Sequence, residues 1–459
     1  MDNHSQIDRR LTAWTAVVFA LGFVFTWIYW SRSQVAGDQL NMLARGWLLV
    51  AEGEWVPFGL GTSAGGKAPG GFTGLIIGLP LLVWQHHRAP SLVLILLNLL
   101  AYLLLDRIVS RELGPGARLL YAIVYWLNPW RLYYSGFLWN PNYLLPLGAL
   151  HFWSIYRQRE HPRFWPSFLQ VLAVGLAAQL HASVATLVVL SLLLWWRGYF
   201  RIHWPAVMLA VTLVAVSLIP WATAMLQDGE LLPSGASQHG RLAQSLLSMA
   251  RGFGYWIRYS ALIGSSTILC LDFSFLPKAF GGDGLRQGIQ AMVGLLTLPV
   301  VIWANIRIWR NATGWWHRPA AALGFGPWLL GVLRWSLVGV LLACALTPTA
   351  VMSWQLLTVF HLAVMPLVLL GLCQIEKGRA TTVRRAAIAY ALLGLSLVAA
   401  IGWASPMYRC GGDTCGAMNA TPPPLRANHE MLEGLGITDT CPYEVDVPGG
   451  WWPDVLPEH

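Results

Sequence analysis

A chain of 459 residues that is 56% hydrophobic and only 11% charged is not a soluble multidomain protein, in which about a quarter of residues carry charge. With a mean hydropathy of +0.53 it reads as a polytopic membrane protein, and disorder, collagen and a disulfide-stapled mini-protein are excluded. The net charge of +9 does not point to nucleic acid, because the basic residues cluster briefly between apolar runs, as topology signals do.

A hydrocarbon core about 30 Å thick takes about 20 apolar residues in a helix. Residues 11–30 supply the first such run. Arg9 and Arg10 precede it and no small-x-small cleavage site follows. It reads as an uncleaved signal anchor with a cytoplasmic N-terminus. Further runs cover 72–85, 90–106, 119–137, 142–156, 166–182, 183–196, 205–226, 287–305, 335–350, 355–373 and 386–404.

The run at 72–85 is short and carries Gly74, Gly78 and Pro80. Charge decides its treatment. If it does not span, 18 basic residues face the cytoplasm and 11 face outward, with Arg131 inside a span. If it spans, the balance becomes 10 inside and 19 outside. The positive-inside rule favours the first arrangement. The expected fold is therefore all-α, with about 11 transmembrane helices (range 10–13) and 72–85 re-entrant or interfacial.

Residues 1–404 form the expected membrane domain and 405–459 a small extracytoplasmic tail. Two large external loops follow, at 31–89 and 227–286. The second holds an amphipathic stretch near 241–258, expected on the membrane surface. Pro422–Pro424 argue against a helix in that part of the tail. Cys410, Cys415 and Cys441 all lie in the tail, where an oxidising compartment would let two of them pair or leave three free thiols.

Ionisable groups at the membrane edge are candidates for chemistry. Asp38 follows the first run directly. Leu40, Leu43, Trp47 and Val50 then recur at helical spacing. Asp38 reads either as that helix's N-cap or as a general base beside the bilayer, placed to take a proton from an acceptor hydroxyl. Lys67, in a glycine-rich stretch, can bind a lipid phosphate or stay solvated. Gly61 to Lys67 satisfies the first part of a P-loop, but Ala68 replaces its Ser/Thr and no strand precedes it. Glu54 reads as a turn residue or a sugar contact. Asn140 and Asn142, flanked by Trp139 and Tyr143, suit sugar or start a helix. Arg131 snorkels outward or reaches a phosphate. His181 lies at the outer junction of two runs, and His361 inside the tenth. Each makes a local hydrogen bond or contacts substrate. No metal-ligand spacing stands out, and a divalent metal is left open.

The order of these motifs resembles the GT-C glycosyltransferases, in the family 39/ArnT-like branch that includes protein O-mannosyltransferases and lipid A aminoarabinose transferases. The residues that carry it are Asp38-Gln39, then Gly53-Glu54-Trp55-Val56-Pro57, then Lys67-Ala68-Pro69, then the Asn128–Asn142 run NPWRLYYSGFLWNPN. It is clearest over residues 10–200. Two departures are Gln39, where members usually carry Glu, and Phe360-His361, where members often carry Arg-Tyr. The resemblance implies an inverting transferase with a polyprenyl-phosphate-linked sugar donor and a lipid, glycan or protein acceptor. It implies Asp38 as the base. Lys67, with Arg131 or Arg258, would hold the donor phosphate. Glu54, Asn140, Asn142, His181 and His361 are then expected at the substrate. The expected location is the bacterial inner membrane, among membrane lipids. The alternatives are a lipid or polyprenyl-phosphate flippase and an O-antigen-ligase-like protein.

Overall fold

Apolar runs that must satisfy every backbone N–H and C=O without water become helices. The structure, a computed structural model, describes residues 3–31, 35, 38–61, 67–227, 241–263, 282–311, 324–347, 351–403, 431 and 433–437. These are helical almost throughout. The helices are α1 Asn3–Ser31, α2 Asp38–Trp47, α3 Phe72–Val83, α4 Arg88–Tyr121, α5 Pro129–Ser135, α6 Leu144–Arg157, α7 Phe164–Leu180 and α8 Val184–Trp196. They continue with α9 Trp204–Gln227, α10 Arg241–Ser260, α11 Gly282–Asn311, α12 Phe325–Ala345, α13 Phe360–Ala363, α14 Met365–Glu376 and α15 Ala380–Trp403. One antiparallel ribbon, β1 Phe58–Gly61 and β2 Lys67–Pro69, lies between α2 and α3.

Helix α4 is two limbs, not one rod. Gly114 has φ 83 and ψ 178, which breaks the helix where a side chain would be strained. Arg118 then meets Asp106 at 2.8 Å. Along a straight helix those positions would stand about 18 Å apart. The rings of Tyr102 and Tyr121 also stack, with centroids 6.3 Å apart. The limbs are therefore antiparallel, and they correspond to the separate runs at 90–106 and 119–137. Asn128 caps α5 by accepting from Trp130 N–H at 2.9 Å, with Pro129 as its first residue.

The chain is an integral membrane protein. Among the described residues seven helical stretches are long and apolar enough to cross a bilayer, one being the 88–126 stretch that folds back at Gly114. Helices α3, α7 and α8 are apolar but shorter. Length alone thus yields fewer spans than the eleven expected. The 12 residues of α3 extend only about 18 Å. Ile77 and Leu81 of α3 are buried in one apolar cluster with Leu40, Leu43 and Trp47 of α2.

Two elements differ from the sequence reading. Helix α12 begins ten residues before the run at 335–350, so Arg334 lies inside it. Its charge is tolerated because Nη2 donates to Trp309 O at 2.7 Å. The amphipathic stretch near 241–258 is helical, but one face is buried in protein. Trp256 and Tyr259 are buried, and Ser260 Oγ donates to Ala363 O at 2.8 Å. Leu246, Leu247 and Phe253 face outward. The three tail cysteines lie outside the described residues, while Cys344 and Cys373 are free.

Candidate active site

Asp38 opens α2, whose apolar face is buried on α3 and whose N-terminus favours a negative charge. Helix α2 ends in a π-turn, Leu48–Glu52, closed by Gly53 at φ 69. The chain then enters β1. Arg45, one face of α2 beyond Asp38, binds this ribbon from behind. Its Nε donates to Phe58 O at 3.3 Å and its Nη2 to Gly59 O at 3.2 Å. Nη1 donates to the Asn41 side chain. Burial pushes the guanidinium down to about 10, with Asp38 acting against that fall, so it stays charged at neutral pH.

The Asp38 carboxylate is exposed, and Trp139 Nε1–H donates to its Oδ2 at 2.9 Å. Trp139 precedes the 3₁₀ turn Asn140–Tyr143. Asn140 Nδ2 donates to Leu180 O at 2.8 Å, which joins this turn to the end of α7. There the chain turns through His181-Ala182-Ser183. Ser183 N–H donates to His181 Nδ1 at 3.1 Å. That bond leaves the proton of the neutral ring on Nε2. Burial pushes His181 down to about 4, so the ring is neutral at physiological pH.

These segments surround one cavity of about 290 Å³. Its wall includes Asp38, Trp139, Asn140, His181, Trp354 and Gln355, among apolar neighbours from α7, α8 and α12. The volume equals about ten waters of liquid, enough for one sugar ring. Trp354 stands edge-on to Trp139, with ring centroids 5.1 Å apart. An exposed carboxylate, two indoles and a few neutral polar groups on an apolar wall suit a small, orientable, uncharged ligand.

Three of the expected site residues, Asp38, Asn140 and His181, meet at this cavity. The others are placed elsewhere. Ala68 lines the cavity, and strand alternation turns Lys67 to the other face, its Nζ 4.1 Å from the Phe58 ring centroid. Arg131 is buried and spends its guanidinium inside the fold. It donates to Thr26 Oγ1 at 2.7 Å, to Ser135 Oγ at 3.2 Å and to Trp126 O, over whose ring it lies. A guanidinium so engaged ties α1 to α5. Arg258 sits between the rings of Trp130 and Tyr255, at 5.6 and 5.5 Å, behind the aromatic wall. Asn142 is fully buried and closes its own turn onto Phe137 O at 2.8 Å. Glu54 is half-buried, in the turn that follows Gly53. His361 is buried in the core beside Phe152, with ring centroids 5.3 Å apart. Asn142, Glu54 and His361 are not among the residues that line this cavity.

Trp354, Gln355, Ser183 and Thr186 also line the cavity and carry no motif in the sequence. Trp139 was legible only as an aromatic beside Asn140. Among the described residues no three His, Cys, Asp or Glu side chains gather as a metal site.

No family model and no curated protein matches the chain. Among solved structures it is similar to the ArnT of Cupriavidus metallidurans. In the apo state the identity is 17%, over 85% of this chain and 77% of that one, with a TM-score of 0.44. For the ArnT bound to undecaprenyl phosphate the identity is 16% over the same shares, with a TM-score of 0.45. At that identity and superposition the likeness is loose, and function has to be argued from the site residues.

Proposed function

We propose that this protein is a membrane glycosyltransferase that moves a sugar from a polyprenyl-phosphate donor to an acceptor hydroxyl at the extracytoplasmic face, with inversion. The observation that carries the reading is the Asp38 carboxylate, hydrogen-bonded by Trp139 on the wall of a sugar-sized cavity. A carboxylate with a free oxygen can accept the proton of an acceptor hydroxyl. The indoles of Trp139 and Trp354 offer flat apolar faces to a sugar ring. The neutral His181 offers a donor, and Asn140, its amide N–H already bonded to Leu180, offers its carbonyl oxygen.

The donor phosphate needs positive charge as it leaves. The cation proposed for this is Lys67, on the outer face of the ribbon whose Ala68 lines the cavity, so that the phosphate lies at the cavity's margin rather than inside it. The lipid class follows from the family that the motifs resemble, and undecaprenyl phosphate, bound by the similar ArnT, belongs to it.

A second reading, a lipid transporter, is favoured by polar groups at membrane depth. His151 of α6 pairs with Ser191 of α8 at 2.6 Å. One experiment separates the two. Purified protein is given radiolabelled polyprenyl-phosphate sugars and membrane lipid or glycan acceptors. A transferase releases free polyprenyl phosphate, and Asp38→Asn abolishes that release. A transporter moves the donor between leaflets of a vesicle without cleaving it. Full release by Asp38→Asn would remove Asp38 as the base.

A further inference from the structure

A general base needs one oxygen free and its carboxyl plane held still. Asp38 is exposed and heads a helix, so nothing in α2 itself fixes its rotamer. Arg45 attracts it along the helix but spends its N–H groups on Asn41, Phe58 and Gly59. Among the described residues the short bond to the carboxylate comes from another segment, Trp139 Nε1–H to Oδ2 at 2.9 Å.

Trp139 is itself immobilised. Its backbone is extended, at φ −163 and ψ 142, and leads into Asn140-Pro141. Its ring stacks on Phe137 and Tyr134, with centroids 6.0 and 6.4 Å away, and meets Trp354 edge-on at 5.1 Å. Tyr134 is pinned in turn through its hydroxyl to Ser353 Oγ at 2.9 Å. The indole N–H is thus a fixed donor on a rigid aromatic stack.

We infer that Trp139 is the positioning residue of the Asp38 base: its N–H holds Oδ2 and leaves Oδ1 to take the proton. This rests on the transferase reading above. In the transfer the acceptor proton passes to Asp38 Oδ1, and the acceptor oxygen bonds to the anomeric carbon. The bond from that carbon to the phosphate oxygen breaks, and polyprenyl phosphate leaves with the electron pair. A neutral donor suits this task. It orients the carboxylate without neutralising it, whereas an arginine would occupy both oxygens in a fork and weaken the base.

The test removes the N–H and keeps the shape. Benzothienylalanine at position 139 is a sulfur isostere of tryptophan with no donor, and Trp139→Phe is the coarser change. Both are measured in the full chain for release of polyprenyl phosphate, with Asp38→Asn alongside. The expected result for the isostere, which keeps the ring face, is a fall in kcat of about tenfold to a hundredfold with KM for the donor unchanged, the size of one lost hydrogen bond to a charged group. An isostere that transfers at the wild-type kcat would overturn the inference, leaving Trp139 as packing alone. So would a rise in KM with kcat intact, which marks a substrate contact. If the isostere is fully active while Asp38→Asn is dead, only the positioning role fails. If Asp38→Asn is fully active, the transferase reading of Asp38 fails and this inference falls with it.

Discussion

The backbone carbonyl of Leu435 accepts two hydrogen bonds from His87, one from its N–H at 3.1 Å and one from Nδ1 at 3.0 Å. This pair ties the described part of the tail to the turn before α4. Met431 and Leu435 are buried in the same apolar cluster as Leu40 and Leu43 of α2. Gly434 lies so close to Trp47 that a Cβ there would sit 2.3 Å from its ring. The tail segment therefore braces the helix that carries Asp38.

That brace is expected to weaken in acid. Burial pushes His87 from 6.5 down to about 4, outweighing the Leu435 carbonyl, which pulls the other way, with His86 and Arg88 adding to the fall. Undocked, the ring would take up a proton first. Docking is then at full strength above the ordinary value of 6.5 and weakens as pH falls toward about 4. Hydrogen exchange of the 433–437 amides, corrected for intrinsic rates, should show less protection at about pH 5 than at about pH 7.5. Equal protection would rule this out. Gly434→Val should remove the protection at both.

Helix α6 touches the 3₁₀ turn at Ser353–Val359 through Gly148. A Cβ at Gly148 would lie 1.9 Å from Thr358 O, a backbone atom that cannot swing aside. Gly148→Ala should cost about 1–3 kcal/mol and lower the melting temperature in detergent. Gly254→Ala is the control, because nothing lies within 4 Å of that position. Equal melting temperatures for the two variants would refute the close approach. Since Trp354 and Gln355 sit in that turn, Gly148→Ala should also disturb the cavity wall.

Much of the architecture is legible in apolar runs and in the clusters of arginine between them. The reversal at Gly114 falls among Arg107, Arg111 and Arg118, where charge alone placed a loop. Asp38, Asn140 and His181 were legible because each stands at the end of an apolar run. Their meeting at one cavity depends on loop packing that no local pattern encodes. Lys67 was read from a glycine-rich stretch, but its direction is set by pairing with β1, a strand too short to announce itself. Arg131 and His361 looked functional because ionisable groups are rare at membrane depth. Arg131 is satisfied by Thr26, 105 residues away, a partner that only the fold brings near. The early start of α12 was hidden for the same reason, since Arg334 reads as a loop residue until Trp309 O is seen beside it.

His181 predicts a particular split in the kinetics. Its Nδ1 is held by Ser183, so its Nε2–H is available to a substrate oxygen. His181→Phe should raise KM by about tenfold, the scale of one neutral hydrogen bond, with a smaller effect on kcat. Because burial holds the ring near 4, it contributes no ionisation near its ordinary value of 6.5. The pH profile of wild type should therefore match that of His181→Asn between about pH 5 and 8. A limb near neutrality that vanishes in His181→Asn would show that the ring titrates in use.

The Asp106–Arg118 pair should be costly to halve and cheap to delete. The Asp106 side chain is 6% exposed and Arg118 32%. Arg118 Nε reaches both carboxylate oxygens at 2.9 Å, and Nη2 adds a contact at 2.8 Å. The attraction offsets the desolvation of a carboxylate that the fold-back at Gly114 has buried. Arg118→Leu leaves that carboxylate without its partner, and such losses cost about 3–5 kcal/mol when both groups are buried. The half-exposed arginine places this pair toward the lower end. Replacing both with leucine removes the stranded charge and should recover most of the loss. Melting temperatures of the two single variants and the double in one detergent form a thermodynamic cycle. A double variant as unstable as the sum of the singles would mean that the two side chains do not act as a pair. The limbs of α4 would then be held together by apolar packing, with the stacked Tyr102, Tyr121 and Tyr125 rings at its centre.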